Sequence, residues 1–181
     1  QLYEHWLETP EVLGKHARHY RTGEPIPGEL MEKMLAARNF GQGFSTVEYL
    51  ASALVDHEMH RLTSAEGFDA VAFEKQVLEG IGMPGAIVSR HAAPHFLHVF
   101  SGDGYSAGYY SYMWSEVMDA DAFAAFEEAG DVFDARTAKR LADEILTRGG
   151  SRDPMEEWLA FRGREPDPAA MIKGRGLDDA A

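Results

Sequence analysis

Cysteine is absent from the 181 residues, which excludes disulfide staples and thiolate metal sites. Basic residues are scarce: 17 Lys and Arg stand against 30 Asp and Glu, for a formal charge of −13. That balance argues against duplex nucleic acid or an anionic membrane surface as a partner. No apolar run approaches the ~20 residues of a membrane-spanning helix. Period-2 strand patterns are rare, and neither an internal repeat nor a low-complexity linker interrupts the chain. An initiator Met is missing too. The chain opens "QLYEHW", already in helix-like sequence, and reads as the interior of a longer polypeptide. What is present is 45% hydrophobic, enough for one domain with a core.

Helix punctuation dominates, and the expected class is all-α with irregular loops. Leu2, Tyr3, Trp6 and Leu7 share a helical face, and Thr9 with Pro10 reads as a cap followed by Pro at the first helical position. A second helix carries Leu30, Met31, Met34 and Leu35, with Gly41 as its stop. Ser45 and Glu48 form a capping box that opens an amphipathic run, whose apolar stripe is expected at Val47, Leu50, Leu54 and His57. A shorter helix follows over 68–80. Residues 86–100 read as irregular, because Pro94 interrupts any helix there. Helical pattern resumes after Gly108 and persists to about Ala129. Asp134 caps the next helix, and Asp153, Pro154 and Glu156 mark a third start. The terminal "DDAA" is expected to fray.

Histidines come in suggestive spacings. His57 and His60 stand three apart, as do His16 and His19, one residue short of the H-E-x-x-H arrangement that places two imidazoles and a glutamate on one helix face. A structural role is expected for both pairs. His91, His95 and His98 would align on a helix, but Pro94 makes one functional loop histidine the better reading than a three-histidine zinc site.

The stretch "HVFSGDGYSAGYYSYMWSEV", from His98 to Val117, holds four tyrosines within eight positions, interleaved with the last of three glycines. A helix running from Tyr105 would put Tyr105, Tyr109 and Tyr112 on one stripe. Gly102, Gly104 and Gly108 would give the backbone unusual freedom and leave room for a ligand. Spacing alone favours core packing for these phenols. Glu116, if enclosed, needs a partner.

The same stretch resembles the substrate-binding loop of the thimet oligopeptidase and peptidyl-dipeptidase family of zinc metallopeptidases. "QLYEHW" resembles the segment that follows the zinc helices there, and "FRGREPDPAAMIKGRGL" resembles the family's C-terminus. The similarity spans essentially the whole chain and is nearest to the bacterial peptidyl-dipeptidase branch. It implies that residues 1–181 are one helical C-terminal portion of a zincin-like catalytic domain, with the H-E-x-x-H segment and the later glutamate ligand lying upstream. Zinc would then be bound in the parent enzyme, with no metal ligand in this chain.

The resemblance further implies hydrolysis of short peptides, in which negative charge develops on the scissile carbonyl oxygen. Tyr105 and Tyr112 match the tyrosines that contact substrate and stabilise that charge. His98 matches the loop histidine; Tyr109 and Gly104 are further substrate-binding candidates, and Arg90 is a candidate for a substrate carboxylate. Tyr110 and Trp114 are left as packing residues. Expected partners are short peptides and the missing N-terminal part of the same enzyme, with self-association of the exposed apolar surface. The expected compartment is the cytoplasm, with the periplasm left open. The rival reading is a stand-alone helical module that uses its histidines for metal or its acidic surface for a protein partner.

Overall fold

Start signals of this density resolve into a succession of helices among the described residues. The computed structural model describes residues 1–178; of the tail expected to fray, residues 179–181 lie outside the described residues. Among the described residues the α-helices are α1 (Glu4–Leu7), α2 (Pro10–His16), α3 (Gly28–Ala36), α4 (Gln42–His60), α5 (Ala70–Gly80), α6 (Leu97–Phe100), α7 (Ser111–Glu128), α8 (Ala135–Leu141), α9 (Pro154–Arg162) and α10 (Ala169–Gly174). Short 3-10 turns lie at Ala93–His95 and Asp103–Tyr105, and a π-helical turn at Ala142–Leu146 follows α8. β-structure among the described residues is limited to a bridge between Arg18 and Pro25. The all-α expectation holds.

Asp134 and Asp153 cap as their spacing demands. The Asp134 carboxylate accepts the Thr137 amide at 2.7 Å, and Asp153 accepts Met155 and Glu156 amides at 2.8 and 3.2 Å. Asp69 caps α5 in the same way. Thr9 does not: its hydroxyl donates back to the Trp6 carbonyl at 2.8 Å, although Pro10 does open α2.

The chain divides into two compact units. One comprises Gln1–Phe40 with the described residues from Ser115 onward. Its core joins Ala122, Ala125 and Phe126 of α7, Leu141 of α8, and Trp158 and Phe161 of α9, with Leu2 and Trp6 packed against them. Each large apolar side chain so enclosed contributes roughly 1.5–3 kcal/mol. Trp6 meets Phe123 and Phe126 edge-on at 4.8 and 4.9 Å and donates its indole N–H to the Val132 carbonyl. Tyr3 and Leu7, expected on the same face, are exposed. Glu116 finds its partner in Arg175, whose Nε and Nη2 reach the two carboxylate oxygens.

The other unit, Gly41–Trp114, is built on α4. Here two expectations fail. The helix starts at Gln42, with Gly41 at φ 70° opening it and α3 ending earlier, at Ala36, so Gly41 is no stop and Ser45 lies inside the first turn rather than at a cap. The buried face is also the opposite one. Ala51, Ser52, Val55, Asp56 and Met59 are enclosed, while Val47, Leu50, Leu54 and His57 are exposed. The reason is that the polar members of the buried face are satisfied: Ser52 bonds His91, and Asp56 bonds loop amides. Val55, Met59 and Ala93 form the local core, against Phe73, Val77 and Leu78.

Candidate functional site

The site is assembled from three pieces of the Gly41–Trp114 unit: the segment 86–100, which was expected to be irregular but ends in a 3-10 turn and α6, the glycine-rich loop, and the first turn of α7. His98 lies on α6, Tyr105 ends a 3-10 turn, and Tyr112 sits in the first turn of α7. The tyrosines therefore do not share a helical stripe, because α7 begins at Ser111 rather than at Tyr105. The loop brings them together instead.

His98 Nε2 lies 2.7 Å from the Tyr112 hydroxyl. The same imidazole stacks on Tyr105 with centroids 4.5 Å apart, and the Tyr105 and Tyr112 rings are nearly parallel at 6.4 Å. Tyr109 meets Tyr112 edge-on at 5.4 Å and stacks on Tyr49 at 5.3 Å. A cavity of about 440 Å³ opens here, lined by His91, His95, Phe96, Leu97, His98, Tyr109 and Tyr112.

Tyr110 and Trp114 are not packing residues; both are more than half exposed. Nor do the loop glycines supply unusual backbone freedom. The left-handed residue is Ala107, at φ 55°, while Gly102 is extended. At Gly108 the approach is close, since a Cβ there would sit 3.2 Å from the Tyr105 carbonyl oxygen. Around Gly104 a Cβ would meet nothing within 4 Å, so that position faces open space. Arg90 is already paired with Glu48 at 3.1 Å.

Burial, then the neighbouring Tyr105 phenol, push the Tyr112 hydroxyl above its ordinary value; burial does the same for Tyr109. Both phenols are thus protonated at neutral pH. A tyrosine hydroxyl carries one proton and two lone pairs. In the tautomer that carries its proton on Nε2, His98 would donate to the Tyr112 oxygen and leave the phenol O–H for another acceptor. Burial and the Arg90 charge lower His91, which keeps that imidazole neutral beside Ser52.

No group of three or more His, Asp or Glu side chains that could hold a metal ion occurs among the described residues. His91, His95 and His98 share the cavity, but His91 is engaged by Ser52 and His98 by Tyr112. His60 is engaged by Asp56. The described residues therefore do not by themselves offer a ligand set that fits a zinc ion.

The sequence profile of Peptidase family M3 matches residues 1–177. Oligopeptidase A of Escherichia coli K12 is 41% identical over 182 residues, covering 98% of this chain and 26% of that protein. A dipeptidyl carboxypeptidase of Salmonella typhimurium is 38% identical, again covering 98% and 26%. A probable cytosolic oligopeptidase A of Arabidopsis thaliana is 37% identical, with 98% and 26% covered. The chain thus spans about a quarter of the length of the curated relatives it matches.

Proposed function

Because this chain belongs to Peptidase family M3, we propose that residues 1–181 are the C-terminal portion of a zinc-dependent oligopeptidase of peptidyl-dipeptidase type. The portion supplies the wall that faces a short peptide. The metal ligands belong to an upstream segment of the same polypeptide, and the parent works in the cytoplasm, as the name of its plant relative says of that protein. The outer face of α4, with Phe44, Val47, Leu50 and Leu54 exposed, is where the rest of the polypeptide packs; without it, that apolar face drives self-association.

One observation carries this reading: the 2.7 Å contact of His98 with the Tyr112 hydroxyl at the edge of the cavity. The Tyr112 O–H donates a hydrogen bond to the carbonyl oxygen as charge develops on it, keeping its proton, and His98 orients the phenol. Tyr105, stacked on His98, supports the same oxygen, and Tyr109 contacts the peptide from the cavity wall. Gly104 leaves room for the substrate backbone.

In the full-length parent, Tyr112→Phe lowers kcat by about 10²–10³, with KM little changed, since the donor acts in the transition state. An unchanged kcat assigns Tyr112 to packing. This chain alone, given zinc and a quenched peptide, shows no turnover; robust chelator-sensitive hydrolysis overturns the placement of the metal ligands upstream.

A further inference from the structure

The turn between the two catalytic phenols contains a residue its geometry disfavours. Ser106 has φ −60° and ψ 124°, Ala107 has φ 55°, and the Gly108 amide donates to the Tyr105 carbonyl at 2.9 Å. These are the marks of a type II turn, whose third residue needs positive φ and is ordinarily glycine. Here that residue is alanine, whose Cβ resists the left-handed region. Something must hold it there.

Asp56 does so. Its side chain is 1% exposed on the buried face of α4, and it makes two bonds to the turn: Oδ1 accepts the Ala107 amide at 3.1 Å, and Oδ2 accepts the Tyr109 amide at 3.0 Å. His60 Nδ1, 2.8 Å from Oδ1, faces the same carboxylate. Burying a carboxylate in a helix face is costly unless its oxygens are bonded, and here the loop's own amides supply those bonds. Tyr49 completes the tie: its hydroxyl donates to the Tyr109 carbonyl and accepts the Met113 amide at 3.1 Å. The backbone is thereby fixed to α4 on both sides of Tyr109.

We propose that Asp56 is a positioning residue of the peptidase. By holding Ala107 in the left-handed turn it sets the separation and tilt of the Tyr105 and Tyr112 phenols. Its two acceptor oxygens match two donors, which a single amide oxygen cannot do. The proposal rests on the reading that those phenols face the substrate.

The test uses the full-length parent. Asp56→Asn is expected to lower kcat by up to about 10²-fold, the loss that accompanies small misplacement of reacting groups, with a smaller change in KM. Hydrogen exchange of the Ala107 and Tyr109 amides becomes faster in the same variant. Adding Ala107→Gly recovers most of the lost kcat, because glycine adopts the turn unaided. Should Asp56→Asn not fold, Ala107→Val in the unaltered background serves: a β-branched residue opposes the left-handed turn and lowers kcat while the core is untouched. Unchanged kcat in Asp56→Asn or Ala107→Val, or no recovery with Ala107→Gly, overturns the proposal. If Tyr112→Phe leaves kcat intact while the two amides still exchange faster in Asp56→Asn, the reading of the phenols fails and the role of Asp56 in the turn stands.

Discussion

Asp56 and Asp121 are both buried aspartates, 1% and 0% exposed, and they are satisfied by different kinds of donor. Asp121 accepts Arg162, Arg164 and the Asp167 amide. Burial alone would raise its carboxyl, but the bonds from Arg164, the Asp167 amide and Arg162 hold it below the ordinary range. Asp56 has no guanidinium; its partners are two loop amides and His60. A carboxylate satisfied by arginines ties α7 to the "FRGREPD" segment and fixes a core. A carboxylate satisfied by backbone amides fixes the path of a loop. The first arrangement governs stability and the second governs geometry at the phenols.

Removing each carboxylate separates those roles. Asp121→Ala leaves Arg162, itself 3% exposed, with only Glu128 as a partner. Breaking such a buried pair costs about 3–5 kcal/mol, and the remaining Glu128 bond puts the expected loss near the lower end. Asp56→Asn leaves an amide donor underbonded and costs about 1–3 kcal/mol. Denaturant unfolding therefore ranks Asp121→Ala as the more damaging, while kcat ranks Asp56→Asn as the more damaging. If one variant is worse on both measures, the division of roles is wrong.

Acid sharpens the same contrast. The His91 value is lowered in the fold, so its contribution is complete above the ordinary 6.5 and is lost as pH falls below that toward the lowered value. The Asp121 value is also lowered, but from 3.8, so its contribution persists above the carboxylate range and is lost only as pH falls through the folded value. Stepwise acidification should therefore loosen residues 41–114 first, seen below about pH 6.5 as a loss of exchange protection there, relative to the intrinsic rate at each pH, before peptides around Asp121 respond. Simultaneous loosening would mean that His91 does not limit its region.

The starts of α8 and α9 were legible in the sequence, whereas the start of α4 and its buried face were not. Asp134 and Asp153 cap where the local spacing says, because a cap is a contact over two or three residues. The irregular segment before His98 was legible from Pro94 for the same reason. The buried face of α4 was not: Ser52 and Asp56 look like solvent residues until partners 39 to 53 positions away are known. The family loop was recognisable as a string, which named His98, Tyr105 and Tyr112. Their convergence through a turn at Ala107 could not be read from helical spacing. The type II turn is signalled only weakly, because the residue at its left-handed position is alanine rather than glycine. Asp56 and Tyr49 were missed as site residues since nothing local marks them.

The smallest effect tests whether the two regions also differ in how firmly they are held. Asp153 caps α9, which places Trp158 and Phe161 in a core; Asp69 caps α5, which buries no residue fully and contributes only partly buried Phe73, Val77 and Leu78. Replacing either cap by Ala removes about 1 kcal/mol of helix stability. For Asp153→Ala that loss is expected to appear in the global unfolding free energy, because α9 cannot fray without exposing its aromatic pair. For Asp69→Ala it should appear chiefly as faster amide exchange over the first turn of α5, from Ala70 to Phe73, with a smaller global change, since local opening there exposes little apolar surface. Equal global losses from the two variants would show that α5 opens only with the whole fold, and would remove stability as a difference between the two regions while leaving their two aspartates distinct in function.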